Sequence, residues 1–442
     1  MIGGLSMKSV NQVPVRDAEA RIFGGPALQQ SAGVHSRRFL WSIGIKLSLV
    51  IAVATGHALA SPPGTIFEFP IPYPITLPSG STHEITYNEN DGKVLWVTGQ
   101  NYDTVVKVAL SGDLKLYPLP ADSGPHGIAF DAKGQLWLTL EYMGKIVRID
   151  SNANILAEYD VSLDCSSCPE EINTHPHGLG IGSDGQTIWY TGKATGTVGK
   201  ITSDGKVQTY PLSIVGSVPI YIKAGPDGNM WVTELVGNAI ARVTPDGQVT
   251  EFPIPTYNSR PIAIVPEPGG QAMWFTEEAG NNVARIDMKG NITEFAVPKY
   301  QDNVILAGLT FDNQKDLWVQ QYVDPNNPNP TGPDHIIKIN RAILTADAEN
   351  VANVTVTFYE VPTRNTVMHR IIQGPDGNIW FTELAANKVG KLISGEFSGH
   401  HTSMPGLKII RQLHAGARSV SPAMDWTLIA AITGLHNIPV CR

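Results

Sequence analysis

The stretch that decides the fold runs from Gly225 to Pro255 and reads GPDGNMWVTELVGNAIARVTPDGQVTEFPIP. It opens on a Gly-Pro-Asp-Gly-Asn turn, Gly225 to Asn229. A run around Trp231 follows, Met230 to Glu234, then a second run, Ala239 to Val243. An Asp246-Gly247 turn leads into a third, Val249 to Pro253. Each run alternates apolar and polar residues over four or five positions and stops at Gly, Asp or Asn. That is the pattern of short antiparallel strands joined by tight turns.

The same unit recurs along the chain. Trp96, Trp137, Trp189, Trp231, Trp274, Trp318 and Trp380 mark seven copies, and of the nine tryptophans only Trp41 and Trp426 fall outside the series. Four short strands per copy make one blade. A lone four-stranded sheet cannot bury both of its faces, so the blades must stack around an axis. The predicted fold is all-β, a seven-bladed β-propeller with four-stranded blades. The last copy has its Trp strand, Ile379 to Glu383, and the next, Lys388 to Leu392, but no TEFP-like strand after them. Such a strand stands at Thr65 to Pro70, TIFEFP, so residues 65–72 are expected to complete the last blade and close the ring. Trp137 and Trp189 lie 52 residues apart and Trp318 and Trp380 lie 62 apart, against 41 to 44 elsewhere. The longer interval holds Asp324 to Pro333 and Ala346 to Asn353, which read as surface excursions; the shorter holds Cys165, Cys168, Glu170 and Glu171.

The rest of the composition agrees. Gly (43) and Pro (32) are abundant among 442 residues and only 16% are charged, which suits a turn-rich β protein. The net charge is −8 with no Lys/Arg cluster, which argues against a nucleic-acid partner. Three cysteines are too few for a disulfide scaffold; a Cys165–Cys168 bridge is left open, and their spacing from His175 and His177 matches no usual zinc pattern. Residues 1–60 read as an export signal with a long leading region. Arg37 and Arg38 precede an apolar run from Phe39 to about Thr55, and Ala58-Leu59-Ala60 gives a cleavage signature. The expected location is secreted, extracellular or periplasmic. The alternative is a membrane anchor at residues 39–55, short for a span. The propeller is assigned to 61–396, and 397–442, which lacks the repeat, to a tail that is poorly ordered or an added segment. A monomer is expected.

Innermost strands line a propeller's channel, and loops at one mouth form its usual ligand site. Aligning the copies on their Trp brings His83, His126, His177, Ile220, Ile262, about Ala307 and His369 to one position, with His175 two residues before His177. The histidines fall on four blades that are consecutive once the ring closes. A titratable cluster in a cleft favours function over structure. Glu141 is set apart: it follows Trp137 by four residues, whereas Glu234, Glu277 and Glu383 follow theirs by three and are expected between blades. In a strand that shift turns the side chain to the other face or needs a bulge. A carboxylate beside His126 suits Mg²⁺, a hard cation that prefers oxygen. No P-loop, HExxH, GxSxG or dinucleotide fingerprint occurs.

The units at 225–255 and 374–392, the latter GPDGNIWFTELAANKVGKL, resemble the streptogramin B lyase (virginiamycin B lyase) family over about residues 65–395. The resemblance implies a Mg²⁺-dependent propeller that opens cyclic depsipeptides of the streptogramin B class by elimination at the ester. It implies catalytic roles for His83 (in STHEI) and His126 (in GPHGI, the general base) and metal binding for Glu141 (in WLTLE). His177, His369 and His175 are then expected to contact the small-molecule substrate, a cyclic ester or depsipeptide. Gly124 stands where the family pattern has Glu. The alternatives are a non-catalytic binding propeller and a metal-dependent lactone hydrolase, since one fold hosts many functions.

Overall fold

A computed structural model describes residues 61–413, apart from 75–79, 91, 166–167, 169, 328–330, 396–401 and 405–406. The export segment at 1–60 and the tail from 414 onward lie outside the described residues. Seven antiparallel sheets form seven blades. The innermost strands are Thr82–Tyr87, Pro125–Phe130, Pro176–Ile181, Pro219–Ala224, Pro261–Pro266, Val304–Phe311 and Met368–Gln373. Each touches its neighbours, and the ring closes with Thr82–Tyr87 against Met368–Gln373. In the last blade the outer strand is Ile66–Pro70, paired antiparallel with Lys388–Leu392. No helix among the described residues is long and apolar enough to cross a membrane.

The repeat motif explains the blade. Each Trp sits on the second strand, buried between blades. Where the preceding turn carries an acid at the right place, the indole N–H donates to it: Trp137 to Asp131 at 3.0 Å, Trp231 to Asp227 at 3.0 Å, Trp318 to Asp312 at 2.8 Å, Trp380 to Asp376 at 3.0 Å. The turn acid therefore serves both the turn and the ring that follows it. An aromatic residue of the outer strand lies near each Trp face. Phe252 is 5.8 Å from Trp231, and Phe69, from the front of the chain, is 5.9 Å from Trp380. A cation on the third strand pairs across from the ring, as Lys107 does with Trp96 at 4.8 Å.

A hydroxyl joins each blade to the next. Between Pro125 and Ile128 the pairing with the Trp strand slips, leaving His126 and Gly127 in a bulge. The freed N–H of Gly127 donates to Thr139 Oγ1 at 2.7 Å, and that hydroxyl donates to the carbonyl of His177 in the next blade at 3.3 Å. Thr98 does the same for Glu84 (3.0 Å) and His126 (2.9 Å), Thr191 for Gly178 (2.8 Å) and Ile220 (3.2 Å), and Thr382 for Arg370 (2.9 Å) and His83 (2.7 Å). Gln320 takes this place in the sixth blade. Gly127 is required because a Cβ there would lie 2.5 Å from the carbonyl oxygen of His177.

Two regions differ from the sequence reading. The insert near 346–353 is not a plain surface excursion: Ile343, Val351 and Val354 are buried in a core shared with Phe295 and Leu407. The tail, where it is described, is an added segment and not a poorly ordered one. Thr402–Met404 adds a fifth strand to the sixth blade, and Lys408–Leu413 adds one to the fifth, beside Ile292–Ala296. Apolar Leu407 and Ile409 cover the insert, and neither segment carries the repeat signal.

Glu234, Glu277 and Glu383 lie buried at strand ends. Burial, aided by the neighbouring carboxylates Glu251, Glu294 and Glu68 respectively, pushes their carboxyls up to about 8, about 9 and about 8. Such groups keep their protons in the fold and release them near 4.5 when unfolded, so stability falls as pH rises from about 4.5 to about 8. Glu234→Gln should therefore raise the melting temperature at pH 8 and leave it nearly unchanged at pH 5. An equal shift at both pH values in thermal melts would mean that Glu234 is ionised in the fold. Thr139→Val should cost about 1–3 kcal/mol by stranding a buried N–H and carbonyl, with Thr139→Ser close to wild type. Denaturant titration of the two variants reads the difference, and a valine variant as stable as the serine one would refute the hydroxyl bridge.

Candidate functional site

One mouth of the channel opens into a cavity of about 490 Å³, and His83, His126, Glu141, His175, His177 and His369 all line it. Ile220 and Ile262, which share the histidine position in the next blades, line it too; Ala307 does not. The bulges explain the arrangement. They place His83, His126, His177 and Ile220 at the mouth, and the Thr hydroxyl of the preceding blade pins the carbonyl of each.

A second position of the repeat faces the same cavity: the residue four after each Trp. These are Gln100, Glu141, Lys193, Leu235, Glu278, Tyr322 and Leu384. The Trp strand ends one residue earlier, at Leu140 in the second blade, and Glu141 opens a 3-10 turn. Its backbone N–H donates to the carbonyl of Gly124 at 3.0 Å, and that of Lys193 donates to His175 at 3.2 Å. Glu141 therefore reaches the mouth by leaving the strand. A comparison of the acids that follow each Trp does not reveal its neighbours in this column; the whole column carries Gln100, Lys193, Glu278 and Tyr322.

The imidazoles form a contiguous group. Ring centroids lie 3.6 Å apart for His126 and His177, 4.9 Å for His83 and His126, and 5.0 Å for His83 and His369. Nδ1 of His83 faces the carbonyl of Ser81 at 2.8 Å, that of His126 the carbonyl of His177 at 3.3 Å, and that of His177 the carbonyl of Ile220 at 3.1 Å. A carbonyl can only accept, so these Nδ1 atoms carry the hydrogen and Nε2 is the basic atom. Burial pushes His83 down to about 4, and burial together with the neighbouring cationic partners pushes His126, His177 and His369 well below the ordinary imidazole value. At neutral pH the group is uncharged.

Glu141 is the opposite case. Burial alone would raise its carboxyl, but the Lys193 ammonium on Oε1, aided by His175, holds it well below the usual carboxylate range. Gln100 Nε2 donates to Oε2 at 2.7 Å, and His175 Nδ1 lies 3.8 Å from Oε1. Across the mouth, Arg260 contacts Glu278 at 2.7 Å and the Tyr322 hydroxyl donates to Glu278 at 3.1 Å. Apolar Ile220, Leu235, Ile262 and Leu384 lie along the remaining wall. His175, Val218, Arg260 and Val367, each two residues before the first cavity position, hold positive φ of 48–57°, so strained backbone gathers at this rim.

His126, Glu141 and His177 each offer an atom within 4.8 Å of the others, and Glu84, His126 and His369 do likewise. Both sets are mainly imidazole, which suits transition metals better than Mg²⁺. Both oxygens of Glu141 are already engaged. No second carboxylate can come from Gly124: a Cβ there would lie 2.4 Å from the Tyr142 ring, whose hydroxyl donates to Asn101 at 2.7 Å. The donor set does not fit Mg²⁺. Cys165 and Cys168 are bonded to each other as a disulfide, so their sulfurs are not free for zinc.

Residues 166–326 match the model of the virginiamycin B lyase family. A streptogramin B lyase structure aligns at 27% identity and TM-score 0.61, over 74% of this chain and 97% of its own. A catalytically inactive His-to-Ala virginiamycin B lyase from Staphylococcus aureus with Quinupristin aligns at 28% and TM-score 0.59, over 74% and 99%. Kuenenia stuttgartiensis hydrazine synthase, at 16% identity and TM-score 0.55, shares the fold alone. No curated protein matches by sequence. With the repeat, the closed ring of blades and these likenesses together, the chain is a seven-bladed β-propeller that is similar in sequence and fold to the virginiamycin B lyases.

Proposed function

We propose that the cavity is the site of an eliminative lyase acting on a small cyclic ester or depsipeptide, with His126 as general base. One observation carries this reading. His126 is a buried, neutral imidazole whose Nδ1 hydrogen is directed at a backbone carbonyl, leaving Nε2 basic in a cavity lined by further imidazoles. The base takes the proton from a carbon next to a carbonyl. The electron pair left behind forms a C=C bond, the neighbouring C–O bond breaks, and the ring opens with a carboxylate as leaving group. His83 is the second imidazole in reach of the proton, and His177, His369 and His175 contact the substrate. The likeness to lyases of this class, one of them holding Quinupristin, supports the substrate class.

The Mg²⁺ that the resemblance implies would have Glu141 as its main oxygen donor, and Lys193 and Gln100 hold that carboxylate instead. No step is assigned to the metal. Binding without catalysis is the second reading, favoured by Gly124 in place of an acid and by Tyr142 over it. Export follows from the signature at 37–60, and the Cys165–Cys168 bridge agrees with an oxidising compartment.

Incubation with a streptogramin B depsipeptide should linearise it at unchanged mass, read by mass spectrometry. Gain of one water would indicate hydrolysis, and an intact ring would leave the binding reading. His126→Ala should lower kcat by about 10²–10⁴-fold while leaving the melting temperature close to wild type. Because His126 stays neutral well below the ordinary imidazole value, the acid limb of the pH–rate profile should lie below pH 6.5. A rate within a factor of two of wild type in the alanine variant rules out this base.

A further inference from the structure

We propose that Lys193 is the resident cation of this site: its ammonium, held by Glu141, takes the place that a divalent metal would otherwise fill. The proposal rests on the lyase reading above for its chemistry and on geometry for the rest.

Gln100, Glu141 and Lys193 occupy the same repeat position in three consecutive blades. The same type of backbone bond fixes where each side chain starts. They reach the mouth at one level and meet there: Gln100 on one oxygen of Glu141, Lys193 on the other. Lys193 is only 7% exposed, far below what is usual for lysine. A buried ammonium persists only with a compensating partner. Among the described residues Glu141 is the one polar partner of its Nζ, so donors remain for a ligand in the cavity it lines.

A dication entering here would have to share Glu141 with a positive charge in direct contact, in surroundings that screen charge poorly. The space for another acid, beside Gly124, is taken by the Tyr142 ring. What an elimination needs from a cation is a positive charge with donors aimed at the oxygen where negative charge develops. An ammonium among neutral imidazoles supplies that, and Glu141 positions it. Lys193 would then touch the substrate carbonyl as its protonated donor while His126 receives the proton from carbon.

Mn²⁺ binding followed by electron paramagnetic resonance, and turnover of a streptogramin B depsipeptide in excess EDTA, test the assignment on the intact chain. The wild type should bind no Mn²⁺ up to about millimolar concentration, and EDTA should change its rate less than twofold. Lys193→Gln should lower the rate by about 10²–10³-fold in EDTA. It should also gain a Mn²⁺ site that Glu141→Gln abolishes in the double variant, and added Mg²⁺ should return part of the activity. One tightly bound Mn²⁺ per wild-type chain, or an unchanged rate for Lys193→Gln in EDTA, overturns the proposal. The wild-type measurements stand even if the variant fails to fold. If the wild type does not turn over the depsipeptide, the lyase reading fails while Mn²⁺ still decides the cation: gain of binding in Lys193→Gln supports it, and its absence in both chains overturns it.

Discussion

A side chain two residues after each tryptophan, a threonine hydroxyl in six of the blades and the Gln320 amide in the sixth along the chain, holds both the ring and the site together. A bulge in an innermost strand leaves an N–H without a ladder partner, and a buried N–H of that kind cannot be left unpaired. The threonine accepts from it and donates onward to the carbonyl of the next blade, as Thr139 does between Gly127 and His177. In five of the blades the carbonyl it holds belongs to a residue that lines the cavity: His83, His126, His177, Ile220 or Ile262. Ring closure and the placing of His83, His126 and His177 are thus one set of bonds. Substituting a cavity side chain leaves this set intact, which is why one scaffold can carry different chemistry at its mouth.

The cavity divides into two halves with different electrostatics. On one side, imidazoles are packed closely enough that protonating one disfavours the next, and burial keeps them neutral. The two carboxylates that could have charged them are already paired, Glu141 with Lys193 and Glu84 with Arg370. On the other side lie apolar residues and the Arg260–Glu278–Tyr322 group. A ligand spanning the mouth would meet bases at one end and a nonpolar wall with one fixed ion pair at the other. That asymmetry suits a substrate with one reactive ester and a large, mostly nonpolar ring.

One departure from the family pattern lies at the mouth of the cavity. Gly124 stands where the resemblance places a Glu, and in this chain the Tyr142 ring fills the space beside it while Lys193 contacts Glu141. Identity of 27–28% over the propeller is enough to keep the scaffold, whose bonds are mostly between backbone and a few repeated side chains. It leaves the cavity columns free to differ.

By itself, the sequence determined the blade count, the strand order within each copy, and the gathering of His83, His126, His177 and His369 on one arc. Those features follow from local chemistry that recurs along the chain: a tryptophan in every copy, in most of them bonded to a turn acid, alternation of period two, and a bulge residue 11 to 13 positions before the Trp. That Glu141 is set apart was also legible, as a one-residue shift read as a change of face or a bulge; the structure instead ends the strand at Leu140 and puts Glu141 in a 3-10 turn. Only tertiary structure decided what that carboxylate holds. Gln100, Glu141 and Lys193 come from three different blades, and no local pattern says that an amide and an ammonium will converge on one acid. The strands at 402–404 and 408–413, and the burial of Ile343 and Val351, were equally hidden, because they are short, lack a period, and gain their partners only once the blades beside them exist.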